Sequence, residues 1–360
     1  MTLGPSVIAP PKTINVRVAL EPALNALNSL SMLNFVDRLS GLDDWVIDAA
    51  QLLTPEQLRL NQLIISVLYD ATMIDEQASH SFPTYLDFLA KQPPEVMSRR
   101  VIDGLLTKTE GNALKADDLL SSPEGFIGYV QQISDTGGSY HVDLLMDAYG
   151  LLSDPPALKQ QILDHLGWAW KNILADEWSQ VEPLLGEAVA AFRDVNLKAL
   201  GFSEAFRFIT GRDIGSELDS GMVPENVVFV PSAHIGPYIT LYERSQVLRI
   251  CFGARSPSGF EGISSQLNRS QLLVWLNALA DDTRLSILEL IATEGEICAQ
   301  DIIARFDLSQ SSASRHLRQL RAAGYLTERR RDGANKCYSL NSARVEEMIS
   351  ALKTLLLHNH

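Results

Sequence analysis

The sequence predicts an α+β chain: a large, mainly helical N-terminal domain with a small antiparallel sheet, then a compact C-terminal domain of helices closed by a β-hairpin. Three observations predict it. The 360 residues can bury two cores. Apolar periodicity is helical to about residue 200, β-rich over 205–252 and helical again after 270. The charge is also divided, because the net −14 lies wholly before Leu272, beyond which 11 basic residues balance 11 acidic ones. These boundaries give a large first domain over 1–252, a linker over 253–269 and a second domain over 270–360.

In chain order, residues 1–13 hold three prolines and little pattern, and read as a loose tail. Ile14-Asn15-Val16-Arg17-Val18 alternates apolar and polar at period two, the mark of a short half-buried strand. Leu24, Leu27, Leu30 and Leu33 share one helical face; Leu58, Leu63, Ile65 and Leu68 share another, opened by Thr54-Pro55-Glu56. Turn signals at Gln92-Pro93-Pro94, Ser121-Ser122-Pro123, Thr136-Gly137-Gly138 and Asp154-Pro155-Pro156 leave room for roughly eight helices before Leu200. Phe206–Ile209, Val227–Val230, Tyr238–Tyr242 and Val247–Phe252 are rich in β-formers and read as a meander that the first strand could join. The Gly, Ser and Pro of residues 253–268 suit a linker.

Beyond it, Leu272, Leu276 and Leu279 make a helical stripe, and Asp281 caps a helix carrying Leu285, Leu288 and Ile291. A short helix follows from Cys298 to Phe306, then a turn at Asp307-Leu308-Ser309. In the next helix, 310–323, Ala313, Leu317 and Leu320 must face inward, which turns Ser311, Ser312, Arg315 and Arg318 outward. Small hydroxyls at a helix start with arginines one and two turns on suit the major groove of DNA, where arginine reads guanine bidentately. Gly324 closes the helix, and 325–331 with 336–340 read as a hairpin whose tip is flanked by Arg329, Arg330, Arg331 and Lys336. Arg305 to Lys336 holds eight basic residues against three acidic ones. This is the pattern of a winged helix-turn-helix, with the hairpin placed to grip phosphate.

The runs Leu279-Ala280-Asp281-Asp282-Thr283-Arg284, Leu308-Ser309-Gln310-Ser311-Ser312-Ala313-Ser314-Arg315-His316-Leu317 and Leu320-Arg321-Ala322-Ala323-Gly324-Tyr325-Leu326 together resemble the ArsR-type winged-helix repressors. The resemblance implies double-stranded DNA as partner, with Gln310, Ser311, Ser312, Ser314, Arg315 and His316 at the contact. It also implies a homodimer built from the first and last helices. Leu272 and Leu276 lie in the first, and Val345, Met348, Ile349, Leu352, Leu355 and Leu356 form a wide apolar stripe in the last. The metal-sensing members' Cys-x-Cys is replaced here by Ile297-Cys298-Ala299-Gln300, and Ala343–Leu357 contains neither Asp nor His, so no metal or cofactor is expected.

Three widely spaced cysteines, Cys251, Cys298 and Cys337, read as reduced thiols, with Cys298 a small buried hydrophobe. No eighteen-residue apolar run and no leader pattern occur, so a cytoplasmic protein with no membrane partner is expected. Trp168, Trp170 and Trp178, with His165, could line a pocket for an inducer, although tryptophans in helical segments more often pack in cores. A partner protein could act on the same domain instead. No catalytic motif is present, which leaves a ligand- or partner-controlled repressor reading a two-fold operator. The alternatives are an N-terminal enzyme or an interaction domain with the winged helix as accessory.

Overall fold

A computed structural model describes residues 14–73, 81–107, 116–133, 140–212, 225–244, 246–255, 265–331 and 335–357. It is α+β, and the chain forms two compact units, residues 21–184 with 232–236, and 1–20 with 185–231 and 237–360.

The first unit is helical. Its elements are α1 (Pro22–Leu33), α2 (Asp44–Leu52), α3 (Pro55–Gln62), α4 (Tyr69–Thr72), α5 (Phe82–Lys91), α6 (Pro94–Thr107), α7 (Ala116–Leu119), α8 (Pro123–Ile133), α9 (Val142–Ser153), α10 (Pro155–Ala169) and the start of α11 (Ala175–Ala191). Among the described residues eleven α-helices thus stand where about eight were expected, because four-residue pieces such as α4 and α7 carry no readable periodicity. Thr54 opens α3 in a reciprocal capping box with Gln57. Leu24, Leu30, Ile64, Leu68, Phe82, Phe126, Leu145 and Leu166 are among its buried side chains.

Its interior also holds polar groups, which must be hydrogen-bonded to be tolerated. Asn61 donates to the carbonyl of Leu30 and to Asn34 Oδ1, both at 2.8 Å. Its own Oδ1 is therefore an acceptor, and His165 Nε2, 3.1 Å away, carries the proton. Burial pushes the His165 pKa down to about 4, so the ring is neutral.

The second unit contains two sheets. β1 (Asn15–Val18), β2 (Asn226–Ser232), β3 (Ile239–Arg244) and β4 (Val247–Gly253) form one, in the order β1-β2-β4-β3. The first strand does join it, but parallel to β2, with Val16 opposite Val227, so the sheet is mixed rather than wholly antiparallel. The expected strand at Phe206–Ile209 is instead part of a helix, α12 (Phe202–Thr210). Phe202, Ala205, Phe206 and Ile209 recur at helical spacing and pack on Val16, Phe229 and Phe252. Periodicity thus overrode the β-propensity of Phe and Ile.

Of the expected linker 253–269, residues 256–264 lie outside the described residues. Gly253 closes β4, Arg255 is buried, and 265–269 begin α13 (Ser265–Leu279). There follow α14 (Asp282–Glu294), β5 (Glu296–Cys298), α15 (Ala299–Phe306), α16 (Gln310–Ala322), β6 (Leu326–Arg331), β7 (Asn335–Leu340) and α17 (Ser342–Leu357). β5, β7 and β6 form the second sheet in that order. Asp281 caps α14 as expected, but Leu285 is 48% exposed and Arg284, Ile287 and Ile291 face inward.

The core of this region joins Trp275, Ile287, Ile302, Leu317, Leu320, Tyr325, Tyr338 and Met348. Arg344, in the first turn of α17, lies over the Trp275 ring at 4.7 Å and donates to Glu347 at 2.8 Å and to the carbonyl of Gly211. Gly324 has φ +85°, and a Cβ there would lie 2.7 Å from Arg344 Nε. Glycine is required on both counts.

Candidate nucleic-acid interface

The interface is built on α16. Ser309 starts the helix with its hydroxyl accepting from the Ser312 amide at 3.1 Å. Asp307, left-handed at φ +49°, makes the turn from α15. Ala313, Leu317 and Leu320 are buried as expected, which fixes the helix's rotation. Gln310, Ser311, Ser314, Arg315 and Arg318 are consequently exposed and Ser312 half-buried. His316 sits differently: it is half-buried, with Nδ1 3.6 Å from Asp281 Oδ1. Burial holds its pKa below the usual histidine value, against the pull of Asp281.

Beside the helix stands the hairpin. β6 and β7 pair antiparallel with Arg330 opposite Lys336 and Arg331 opposite Asn335. Arg329, Arg330 and Lys336 are exposed. The tip, residues 332–334, lies outside the described residues, as does the side chain of Arg331. Glu328 tempers this charge, with Arg321 at 2.8 Å and Lys336 at 3.1 Å from its carboxylate. A cleft of about 330 Å³ opens between helix and hairpin, lined by Cys298, Gln310, Ser314, Arg318 and Lys336 among others.

The sequence missed one feature of this region. Cys298 and Cys337 are register partners on β5 and β7 and are joined by a disulfide, so the expectation of three reduced thiols is corrected. Thirty-nine residues separate the pair; only the strand register, invisible in sequence spacing, brings them together.

The residues expected at a dimer seam divide into two groups. Leu272 and Met348 are buried in the domain's own core, and Leu276, Val345, Leu352 and Leu355 pack against it. Ile349 and Leu356 face solvent, as do Leu273 of α13 and Leu357 of α17.

In the helical unit, the three tryptophans are half-buried. Trp168 stacks on His165 and Trp170 on Phe82. A cluster that spacing could not reveal forms around His234, whose Nδ1 is 2.8 Å from Ser29 Oγ and whose Nε2 is 3.0 Å from Glu177 Oε1. Trp45 stacks on its ring at 4.1 Å, and burial raises the pKa of nearby Asp43. Ser29 Oγ also donates to the Asn25 carbonyl at 2.9 Å.

Among the described residues no group of three or more His, Cys, Asp or Glu is placed to hold a metal ion, and no helix is long and apolar enough to cross a membrane.

Residues 281–328 match the family described as bacterial regulatory protein, arsR family. The chain is 33% identical over 93 residues to the arsenical resistance operon repressor of Staphylococcus aureus, covering 26% of this chain and 88% of that protein. It is 53% identical over 53 residues to an arsenic resistance transcriptional regulator of Pseudomonas putida, covering 15% of this chain but only 41% of that protein. With the transcriptional activator HlyU of Vibrio cholerae it shares 35% identity over 88 residues, 24% of this chain and 80% of the relative. Through its C-terminal helix-turn-helix, the chain belongs to the ArsR family of bacterial regulatory proteins.

Proposed function

We propose that the chain is a homodimeric DNA-binding transcriptional regulator, acting as a repressor in the cytoplasm, that reads a two-fold operator through α16. Residues 270–360 are the reader and residues 1–252 receive the controlling signal, a small molecule or a partner protein. The observation that carries the reading is the division of α16 into two faces. Ala313, Leu317 and Leu320 are buried, while Gln310, Ser311, Ser314, Arg315 and Arg318 project outward beside Arg329 and Arg330 of β6. A helix with small residues at its start can approach base edges closely, and its arginines can then reach guanine. The wing arginines and Lys336 supply phosphate contacts. The dimer seam uses the outward residues of α13 and α17, Leu273, Ile349, Leu356 and Leu357, whose exposure leaves apolar area to cover.

Selection of duplexes from a random pool by the full chain tests this reading. Arg315→Ala should lose about 1–3 kcal/mol on the selected site and relax preference at one position per half-site. An equal loss on every sequence would make Arg315 a phosphate contact.

A further inference from the structure

We infer that Cys298 and Cys337 form a hydroperoxide-responsive dithiol that sets the DNA affinity of the reader. The inference rests on the DNA-binding reading above, because DNA lies in the reducing thiol pool of the cell. There a disulfide forms transiently and reports oxidant rather than serving as a permanent staple.

The two sulfurs have different surroundings, which assigns their roles. Cys298 is half-buried and opens into the cleft beside Arg318 and Lys336. It is also the residue from which α15 starts, the end of a helix that favours a negative charge. Cys337 is fully buried on β7, directly across from Cys298. A small hydroperoxide entering the cleft therefore meets Cys298 first. Its thiolate attacks the O–O bond, which breaks; one oxygen stays as the sulfenic acid and the other leaves, protonated, as an alcohol or water. The Cys337 sulfur then attacks the Cys298 sulfur, the S–O bond breaks and water departs. Two thiols and one hydroperoxide become one disulfide, one alcohol and one water. A dithiol reductant reverses the step by exchange.

The bond's place in the chain gives it an effect on binding. The segment it closes, 298–337, contains α15, all of α16 and β6, the elements that would touch DNA. β5 is only three residues long, so its hold on β7 without the bond rests on few hydrogen bonds. Closing the disulfide fixes the start of α15 against the wing and orders the reader before it meets DNA, which lowers the ordering cost of binding. The oxidised form should be the tighter binder.

The test uses the full chain and a labelled duplex selected from random-sequence DNA by the untreated protein. Hydrogen peroxide should remove two hydrogens from the reduced chain, seen as a loss of about 2 Da by intact mass. It should also tighten binding at least about fivefold, the low end of typical coupling between sites. Dithiothreitol should undo both. Cys337→Ser should bind DNA like the reduced protein before and after peroxide and show no loss of about 2 Da, whereas Cys251→Ser, altering the buried thiol of β4, should respond like the wild type. Equal affinity of the two wild-type forms, weaker binding by the oxidised form, or no formation of the bond under peroxide each overturns the proposal. If the mass change occurs but neither form binds any duplex, the DNA reading fails and control of DNA affinity falls with it, while the thiol chemistry stands by itself.

Discussion

Arg284 shows how one side chain secures the start of the helix-turn-helix. It is buried, with Nε 2.6 Å from the carbonyl of Ala278 and Nη2 2.8 Å from that of Asn277, so it satisfies the buried Ala278 carbonyl and joins the Ala280 amide on that of Asn277 at the end of α13. Arg284→Ala should destabilise the C-terminal domain by about 1–3 kcal/mol, since removal leaves the buried Ala278 acceptor unpaired; a shift in its denaturant midpoint would measure this. His165 makes a pH prediction at the same scale. Its folded pKa of about 4 lies below the value near 6.5 expected in an unfolded chain. Between those values the unfolded state binds the extra proton, so stability is full above pH 6.5 and falls as pH drops toward 4. The loss is on the order of 3 kcal/mol. Denaturant titrations at stepped pH should show that slope, and His165→Gln should reduce it by about one proton. The Arg284 sequence context was legible, because Asp281 reads as a cap; that its guanidinium turns inward was not, and Leu285 was assigned to the face Arg284 occupies.

At the level of elements, the wing predicts a salt effect. Arg329→Ala with Arg330→Ala should weaken binding similarly on all DNA and flatten the dependence of log K on log salt by about one unit per lost phosphate contact. An unchanged slope in a filter-binding titration would remove β6 from the interface. Most elements of the C-terminal domain could be read beforehand because each has its own local signal. Ser309 caps α16, Gly324 closes it, and Ala313, Leu317 and Leu320 state its inward face. What escaped depends on partners far away in the chain. β5 is too short to show alternation, and the Cys298–Cys337 bond follows only from its pairing with β7. The His234 cluster draws on Ser29, Trp45 and Glu177 from three separate helices. α12 failed for another reason, since five aromatic or β-branched residues in nine favoured strand locally while its core contacts required a helix.

Over the whole molecule, charge is unevenly divided along the chain. The acidic excess lies before Leu272, while the stretch from Arg305 to Lys336 carries five net positive charges. The long-range field therefore opposes DNA while the reading surface attracts it, which favours specific sites over indiscriminate binding. The relatives in the comparison include one named a repressor and one named an activator. The most direct test of the central claim is enrichment of duplexes from a random pool by the full-length protein, followed by footprinting of the recovered site. Two inverted copies of one half-site are expected, their centres about 10–10.5 base pairs apart, each protected at the major groove. Recovery of no sequence above background, or of a single unrepeated site bound by one chain, would contradict it.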